Sequence, residues 1–223
     1  MLRQFEISHL NLKPISQIVQ YSEFYGNRFF INQHVLKPRP ESEAFISMVL
    51  DLISNEFKEM PKSALTILDL GTGSGALAIS LKLEVPSLNI IASDVSIRAL
   101  KVAKFNAVIH TTDIRFIHSN LLNDPSVQPI IIMANLPYIP LKLKVDQSIM
   151  FEPKLALYGG SDGLESYRKL FKQISKMSNY PLFLLLEALI ISHPKLIELA
   201  LRYGYSLVKT NGLVLLFKYT PIK

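Results

Sequence analysis

The sequence predicts an α/β fold in which a seven-stranded, mostly parallel sheet carries helices on both faces. Two observations lead to this prediction. Short apolar runs alternate with helical segments from residue 65 onward, and the chain ends in a hairpin signal. Hydrophobic residues make up 49% of the 223 residues and charged residues 19%, which is enough apolar material for one sizeable core.

Seven runs are predicted as the strands of this sheet. The first five are short and apolar, as expected for strands that are buried on both faces. The last two flank Asn211-Gly212, which predicts a type I′ turn and therefore a reversed final strand. The predicted strands cover residues 65–70, 89–94, 114–119, 129–134, 181–186, 205–209 and 213–219.

Helices are predicted where apolar residues recur at helical spacing between the strands. Pro40, Glu41 and Glu43 suit the first turn of a helix that continues to about Ile53. We expect residues 1–35 to form an irregular N-terminal extension with a short helical segment, and residues 36–223 to form the domain. The other predicted helices cover residues 75–83, 96–108, 164–177 and 194–203.

Composition excludes several classes of function. The chain has no cysteine, which excludes disulfides, thiol nucleophiles and Cys-ligated metals, and its five histidines lack metal-ligand spacing, so we expect no metal site. The net charge of +6 is compatible with an RNA or an acidic protein partner. The chain start lacks an apolar signal segment, and the stretch 181–192 is too short to span a bilayer. These features predict a cytoplasmic protein without membrane association.

Polar residues follow one predicted strand after another at the carboxyl end. Because ligands of open α/β sheets bind outside these ends, the pattern predicts a single cleft. In strand order the residues are Asp69 with Gly71-Thr72-Gly73-Ser74-Gly75, then Asp94, then Asn120-Leu121, then Asn135-Leu136-Pro137-Tyr138, and finally Glu187.

The glycine loop suggests a cofactor site. Its spacing is neither that of a P-loop nor G-x-G-x-x-G, but its glycines let a ligand touch the backbone, and the next helix offers N–H groups to an anionic or carboxylate group. Asp94, nineteen positions beyond Gly75, suits ribose hydroxyls. The alternatives are a plain turn for the loop and a helix N-cap for Asp94. An adenosine-type cofactor is implied, either a nicotinamide or S-adenosylmethionine.

The segment from Asn135 to Tyr138 indicates the chemistry. The Asn135 side-chain carbonyl and the Leu136 backbone carbonyl can both accept hydrogen bonds from one planar NH₂ group. Pro137 stiffens the turn, and the Tyr138 ring can cover a flat amide or base. This suits methylation of an amide or exocyclic amino nitrogen, whose lone pair must be aimed and whose developing charge must be stabilised. The alternative is a turn without chemistry.

Ordered matches over most of the chain resemble the PrmC/HemK family, the protein-(glutamine-N5) methyltransferases of peptide-chain release factors. The resemblance implies a class I, Rossmann-like methyltransferase domain at 36–223, with S-adenosyl-L-methionine as cofactor. The last of the matching segments is the most specific to the family. They are FYGNRFFINQHVLKPRPESE (24–43), ILDLGTGSGALAISL (67–81), ASDVSIRALKVAKFNA (92–107), NLPYIP (135–140) and FEPKLALYGGSDGLESYRKL (151–170).

The resemblance also implies roles for individual residues. The loop of Gly71, Thr72, Gly73, Ser74 and Gly75 would hold the methionine and ribose part of the cofactor. Asp94 would bind the ribose hydroxyls, and Asn120 with Leu121 the adenine. Asn135 would contact both cofactor and substrate, and the four residues Asn135, Leu136, Pro137 and Tyr138 would hold the substrate glutamine amide. Asn135, Pro137 and Tyr138 would be the catalytic residues. Arg39, Pro40 and Glu41 match a family motif that we place beside the cleft.

Three features differ from the family pattern. Leu136 replaces a usual proline, Asn120-Leu121 replaces an acid followed by an aromatic residue, and the region before Phe24 is shorter than the family's N-terminal helical domain. The leading hypothesis is methylation of the glutamine in the GGQ loop of a release factor, with residues 139–161 forming part of the substrate channel. The alternatives are N6-adenine methylation in RNA or DNA, and a cofactor-binding remnant that acts as a scaffold.

Overall fold

The computed structural model describes residues 14–124, 126–145, 149 and 151–221. A small hairpin, β1 (Tyr21–Phe24) and β2 (Asn27–Phe30), precedes the main sheet. The seven strands of the main sheet are β3 (Thr66–Leu70), β4 (Asn89–Asp94), β5 (Arg115–His118), β6 (Ile131–Ala134), β7 (Phe183–Glu187), β8 (Tyr205–Asn211) and β9 (Val214–Tyr219). Their order across the sheet is β5-β4-β3-β6-β7-β9-β8.

The pairing of these strands confirms the predicted sheet. Strands β3 to β7 pair in parallel, whereas β9 runs antiparallel to both β7 and β8. The chain order reverses beside β3, because β4 and β5 lie on one side of it and β6 and β7 on the other. Such a switch point opens a crevice at the carboxyl ends of the strands. Leu70 and Ala134 are in register, so the loops after β3 and β6 lie side by side.

Helices cover both faces of the sheet, as predicted. The apolar faces of the helices at residues 44–55 and 76–84 belong to one buried cluster, and those of the helices at residues 165–174 and 193–201 belong to another. The helices are α1 (Ile15–Val19), α2 (Ala44–Asn55), α3 (Ala76–Glu84), α4 (Ile97–Ile109), α5 (Lys154–Leu157), α6 (Glu165–Ile174) and α7 (His193–Leu201), and a 3₁₀ turn at Pro40–Glu43 leads into α2. In the described part of the chain, no helix has both the length and the apolarity to span a bilayer.

The expectation that residues 1–35 are irregular is wrong for residues 21–30, which form the β1–β2 hairpin. Tyr25 and Gly26 both have positive φ, 48° and 69°, as a type I′ turn requires. The hairpin is held on α4 because the Asn106 side chain bonds both the N–H and the C=O of Phe30, at 2.9 and 3.0 Å. Residues 1–13 lie outside the described residues.

The turn between β8 and β9 also differs from the prediction. Asn211 pairs with Val214, so the two-residue loop is Gly212-Leu213, one position later than expected. Of these two residues Gly212 alone has a positive φ, 58°, which fits a type II′ turn with glycine first. The β9 residues that pair with β7 are buried on both faces of the sheet, with Val214 and Leu216 in one apolar cluster and Leu215 and Phe217 in the other. A slip of one residue would exchange these side chains between the two clusters, so their packing fixes the register.

Candidate active site

The glycine loop leads from β3 into α3 and is held against β4. The backbone N–H groups of Gly71 and Thr72 donate to the Ser93 carbonyl at 2.8 and 2.9 Å. The Gly73 N–H donates to Asp94 Oδ2 at 2.9 Å. These bonds fix the loop to the end of the neighbouring strand, so its shape is set before any ligand binds.

Glycine is required in this loop for two different reasons. Gly73 has a φ of 56°, and nothing lies within 4 Å of the position that a Cβ would take, so a ligand can approach its backbone. Gly75 has a φ of 83° and begins α3, and a Cβ there would meet Ile79 and Ala103 at 3.0 and 3.2 Å. Gly75 therefore lets α3 pack closely against α4.

Asp94 ends β4 and is fixed by two backbone amides. Its Oδ2 accepts from Gly73, and its Oδ1 accepts from the Ser96 N–H at 2.8 Å. The N-cap of α4 is Ser96, whose hydroxyl accepts from the Ala99 N–H at 3.2 Å, so the alternative of Asp94 as N-cap is wrong. Burial raises the pKa of Asp94, and these amide bonds oppose the rise. A carboxylate has about four acceptor sites, so Asp94 keeps acceptor capacity for a ligand.

Asp69 lies inside the domain, one residue before the end of β3. It is almost fully buried, and its Oδ2 accepts from the Thr72 hydroxyl at 2.6 Å. Burial raises the pKa of Asp69 to about 7, and the bonds from Thr72 and the Ala78 amide offset only part of the rise. The negative charge of Asp94 adds to it.

The segment after β5 contains a residue with a positive φ, a backbone conformation that residues other than glycine rarely adopt. Leu121 has a φ of 56°, and its carbonyl accepts from the Ser119 hydroxyl at 2.9 Å. Gln173 of α6 braces the same turn, since its Oε1 accepts from the Leu122 N–H and its Nε2 donates to Asn123 Oδ1, both at 2.7 Å. Sequence reasoning missed Gln173, because its position on a helix gives no sign of this contact.

Asn135 follows β6 directly and is joined to a buried serine. Its Nδ2 donates to Ser42 Oγ at 3.0 Å, and the Ser42 hydroxyl donates to Glu187 Oε2 at 2.6 Å. Glu187 Oε1 accepts from the Tyr138 hydroxyl at 2.8 Å. Three segments that are distant in the sequence therefore meet in one chain of hydrogen bonds at the carboxyl ends of β6 and β7.

The same network sets the electrostatics of this corner. Burial raises the pKa of Glu187, although the Ser42 and Tyr138 hydroxyls bond its carboxylate. Burial and the nearby Glu187 charge raise the pKa of Tyr138, so its hydroxyl stays protonated as a donor. The hydroxyl of the buried Tyr167 donates to the backbone carbonyl of Glu187. The strand end that carries Glu187 is thus held from both sides.

Backbone contacts shape the loop that contains Pro137 and Tyr138. A Cβ at Gly159 would lie 2.2 Å from the Pro137 carbonyl oxygen, and one at Gly163 would lie 2.2 Å from that of Tyr138. The Ile139 carbonyl also accepts from the Gly159 N–H at 3.0 Å. The glycines of the segment 151–170 therefore fit directly against the residues that follow β6.

An ion pair joins the residues before α2 to the same segment. Arg39 Nη2 lies 2.6 Å from Glu152 Oε1, and the Glu152 side chain is 4% exposed. Burial raises the pKa of Glu152, while the Arg39 charge lowers it. Arg39 lines the cavity as expected, whereas Pro40 and Glu41 lie outside its lining.

A cavity of about 420 Å³ brings most of the predicted residues together. This volume lies within the range of small-molecule sites, roughly 300–1,000 Å³. Gly75 and Tyr138 lie outside its lining, and the Tyr138 hydroxyl points to Glu187 instead. The predicted residues that line the cavity are Gly71, Thr72, Gly73, Ser74, Asp94, Asn120, Leu121, Asn135, Leu136 and Pro137. Ser42 and residues 153, 155, 156, 158 and 159 also line the cavity.

The sequence pattern of the methyltransferase small domain matches residues 44–151, which include the glycine loop, Asp94 and Asn135. The chain contains a methyltransferase domain. The N-terminal domain of human METTL16 in complex with S-adenosylhomocysteine shares its fold, with a TM-score of 0.60 at 15% identity over 96% of this chain and 94% of that one. The predicted class I methyltransferase fold is therefore confirmed.

Curated relatives of the methyltransferase domain confirm the resemblance seen in the sequence. A release factor glutamine methyltransferase of Bacillus cereus is 37% identical over 180 residues, which are 77% of this chain and 62% of that protein. A bifunctional methyltransferase of Rickettsia typhi is 35% identical over 216 residues, 89% of this chain and 42% of that protein. The chain thus spans about half the length of these relatives.

Proposed function

We propose that this domain transfers a methyl group from S-adenosylmethionine to the glutamine side-chain amide in the GGQ loop of a peptide-chain release factor. The position of Asn135 carries the proposal. Asn135 lines the same cavity as the glycine loop and Asp94, and its amide nitrogen is engaged by Ser42, so its carbonyl oxygen remains for a ligand. The Bacillus cereus relative named a release factor glutamine methyltransferase supports this choice of substrate.

The residues of the cavity fit S-adenosylmethionine. The open space at Gly73 admits a ligand where a side chain would intrude, and Asp94 offers a fixed carboxylate to ribose hydroxyls. We assign the segment of Asn120 and Leu121 to the adenine, since it lines the same cavity on the side of β5. When bound, S-adenosylmethionine supplies an electrophilic methyl group on a positively charged sulfur.

The residues after β6 are suited to the methyl acceptor. In the proposed reaction, the side-chain oxygen of Asn135 and the backbone carbonyl of Leu136 accept the two N–H groups of the glutamine amide. These bonds stop rotation of the amide and hold its nitrogen toward the methyl group. They also stabilise the positive charge that would develop on this nitrogen as the N–C bond forms and the bond between sulfur and methyl breaks. The nitrogen would then lose one proton to solvent, which leaves a neutral N-methylated amide. Pro137 limits the flexibility of the loop, and Tyr138, which lies outside the cavity lining, fixes the loop to Glu187 through its hydroxyl.

The partner side of the cavity is formed by residues after position 152. Leu155 lines the cavity and is 67% exposed, so it is placed to contact a substrate that enters from solution. We assign this rim to the release factor. We place the reaction in the cytoplasm, where translation ends. The described part of 139–161 contains α5 and a bridge between Ile139 and Tyr158, so it is more ordered than a simple connection.

The proposal is tested by mass spectrometry after incubation with labelled cofactor, a purified release factor and ribosomal RNA. We expect a mass increase of one methyl group on the GGQ peptide alone. A methylated adenine in the RNA would instead support the nucleic-acid alternative, and no methylated product would support the scaffold alternative.

Asn135→Ala tests the residue that carries the proposal. We expect it to abolish transfer while the cofactor affinity measured by calorimetry stays within about tenfold, roughly 1.4 kcal/mol. Equal loss of transfer and of cofactor binding would assign Asn135 to the cofactor or the fold instead.

A further inference from the structure

Glu187 is a buried carboxylate whose surroundings are unusual for a structural residue. It is 0% exposed, and none of the ion pairs found among the described residues includes it. Its hydrogen-bond donors are the hydroxyls of Ser42 and Tyr138 and the amide of Asn135. A buried carboxylate that is held only by neutral donors is costly to ionise, so its place directly behind Ser42 and Asn135, which line the cavity, points to a task there.

The hydrogen bond from Ser42 to Glu187 decides how Ser42 meets Asn135. A serine hydroxyl has one hydrogen, and at 2.6 Å that hydrogen is committed to the carboxylate. Toward Asn135, Ser42 can therefore only accept, and it does so from Nδ2 at 3.0 Å. The two ends of an amide differ, so the nitrogen of Asn135 faces Ser42 and the oxygen is left for the cavity.

The opposite orientation of the Asn135 amide is penalised on both sides. Its oxygen would then face the lone pairs of Ser42 and the negative charge of Glu187. Its NH₂ group would face the NH₂ group of the methyl acceptor, where two donors oppose each other and one hydrogen bond is lost. Ser42 and Glu187 therefore both favour the orientation in which the nitrogen of Asn135 faces them and its oxygen faces the cavity.

We propose that Ser42 and Glu187 are positioning residues that hold the side-chain oxygen of Asn135 toward the methyl acceptor. This inference rests on the proposed function, because it assigns Asn135 to the acceptor. Neither residue touches the reacting atoms. Glu187 sets the direction of the serine hydroxyl and also bonds the amide of Asn135, while the serine oxygen accepts from Asn135 Nδ2. Tyr138 is bound to the second oxygen of the same carboxylate.

Substitutions of Ser42 test the inference by steady-state kinetics with a release factor. We expect Ser42→Ala to lower kcat at least tenfold with little change in KM or in cofactor affinity, because the amide loses its fixed orientation and not its place. Ser42→Thr keeps the hydroxyl and should restore most of kcat. Unchanged kcat in the alanine variant, or no recovery with threonine, would overturn the inference.

Ser80 provides a matched control. It is also fully buried, it lies in α3, and its hydroxyl has no hydrogen-bond partner in the described structure. Ser80→Ala should keep the wild-type kcat. An equal loss of kcat in both alanine variants would assign the effect of Ser42→Ala to the packing of the domain and would overturn the inference.

A measurement on the free protein separates this inference from the proposed function. In the ¹⁵N spectrum, the side-chain amide of Asn135 should exchange its hydrogens slowly in the wild type and fast in Ser42→Ala, with its signal assigned by its loss in Asn135→Asp. Fast hydrogen exchange of the Asn135 amide in the wild type overturns the inference, whatever the methyltransferase activity. This measurement on the wild type is also sufficient if the Ser42→Ala variant does not fold. If the wild type methylates no release factor, the proposed function fails while this orientation is still tested.

Discussion

Replacing Asp69 with asparagine should remove a pH dependence from the stability of the domain. Asp69 is almost fully buried, and its pKa rises from 3.8 to about 7 on folding, chiefly through burial. The folded protein therefore keeps a proton on this group to higher pH than the unfolded chain does. The resulting stability is fully present below pH 3.8 and is lost as the pH rises through about 7.

The size of the effect follows from the two pKa values. The interval between 3.8 and about 7 corresponds to a cost of roughly 4 kcal/mol for the ionised group, at about 1.4 kcal/mol for each pH unit. Between pH 5 and pH 8 the unfolding free energy of the wild type should fall by roughly 3 kcal/mol more than that of Asp69→Asn. The amide keeps the shape of the carboxyl and an oxygen for the Thr72 hydroxyl, so other differences are constant with pH.

The assay is urea denaturation of the cofactor-free protein, followed by circular dichroism at several pH values. The difference in unfolding free energy between Asp69→Asn and the wild type should rise with pH and then level off above about pH 7. Parallel curves for the two proteins would contradict this prediction, since Asp69 would then bind protons equally in the folded and unfolded chains. A constant offset alone would reflect hydrogen bonding and not ionisation.

Two further substitutions test the cavity. Gly159→Ala should lower kcat at least tenfold, about 1.4 kcal/mol, because its Cβ would collide with the Pro137 carbonyl oxygen. Gly26→Ala meets nothing within 4 Å but strains the β1–β2 turn at a φ of 69°, so it is a control for backbone strain and should keep kcat. Equal initial rates for Gly159→Ala and the wild type would contradict this prediction. Asp94→Ala should weaken the binding of S-adenosylmethionine at least tenfold in calorimetry, since it removes a fixed acceptor and frees the Gly73 amide. Unchanged affinity would remove Asp94 from the cofactor site.

The sheet and most of the cavity could be predicted because both follow from local patterns. Apolar runs that alternate with helical spacing define parallel strands, and the carboxyl ends of parallel strands meet at one edge. This is why Gly73, Asp94 and Asn135 could be placed together, and they line one cavity. The hairpin at residues 21–30 could not be predicted from local patterns. It is stabilised by contacts with residues distant in the sequence, such as the hydrogen bonds between Phe30 and Asn106.

The partners of the site residues could not be predicted. Asn135 and Ser42 are 93 positions apart, and Ser42 and Glu187 are 145 positions apart. No spacing rule links such distant residues, and a serine in a first helical turn is expected as a surface cap. Glu187 was placed at the cleft from its position after the predicted strand 181–186, but only the folded structure shows which hydroxyls it engages.

The leucine at position 136 is accommodated by confinement from outside the loop. A proline limits a backbone through its own ring, whereas the Leu136 side chain is 4% exposed and approaches the site of a Cβ on Gly71 to 3.2 Å. Gly159 and Gly163 press on the next two carbonyls. Packing around the loop thus supplies the stiffness that a second proline ring would give, and the peptide path is held although residue 136 is a leucine.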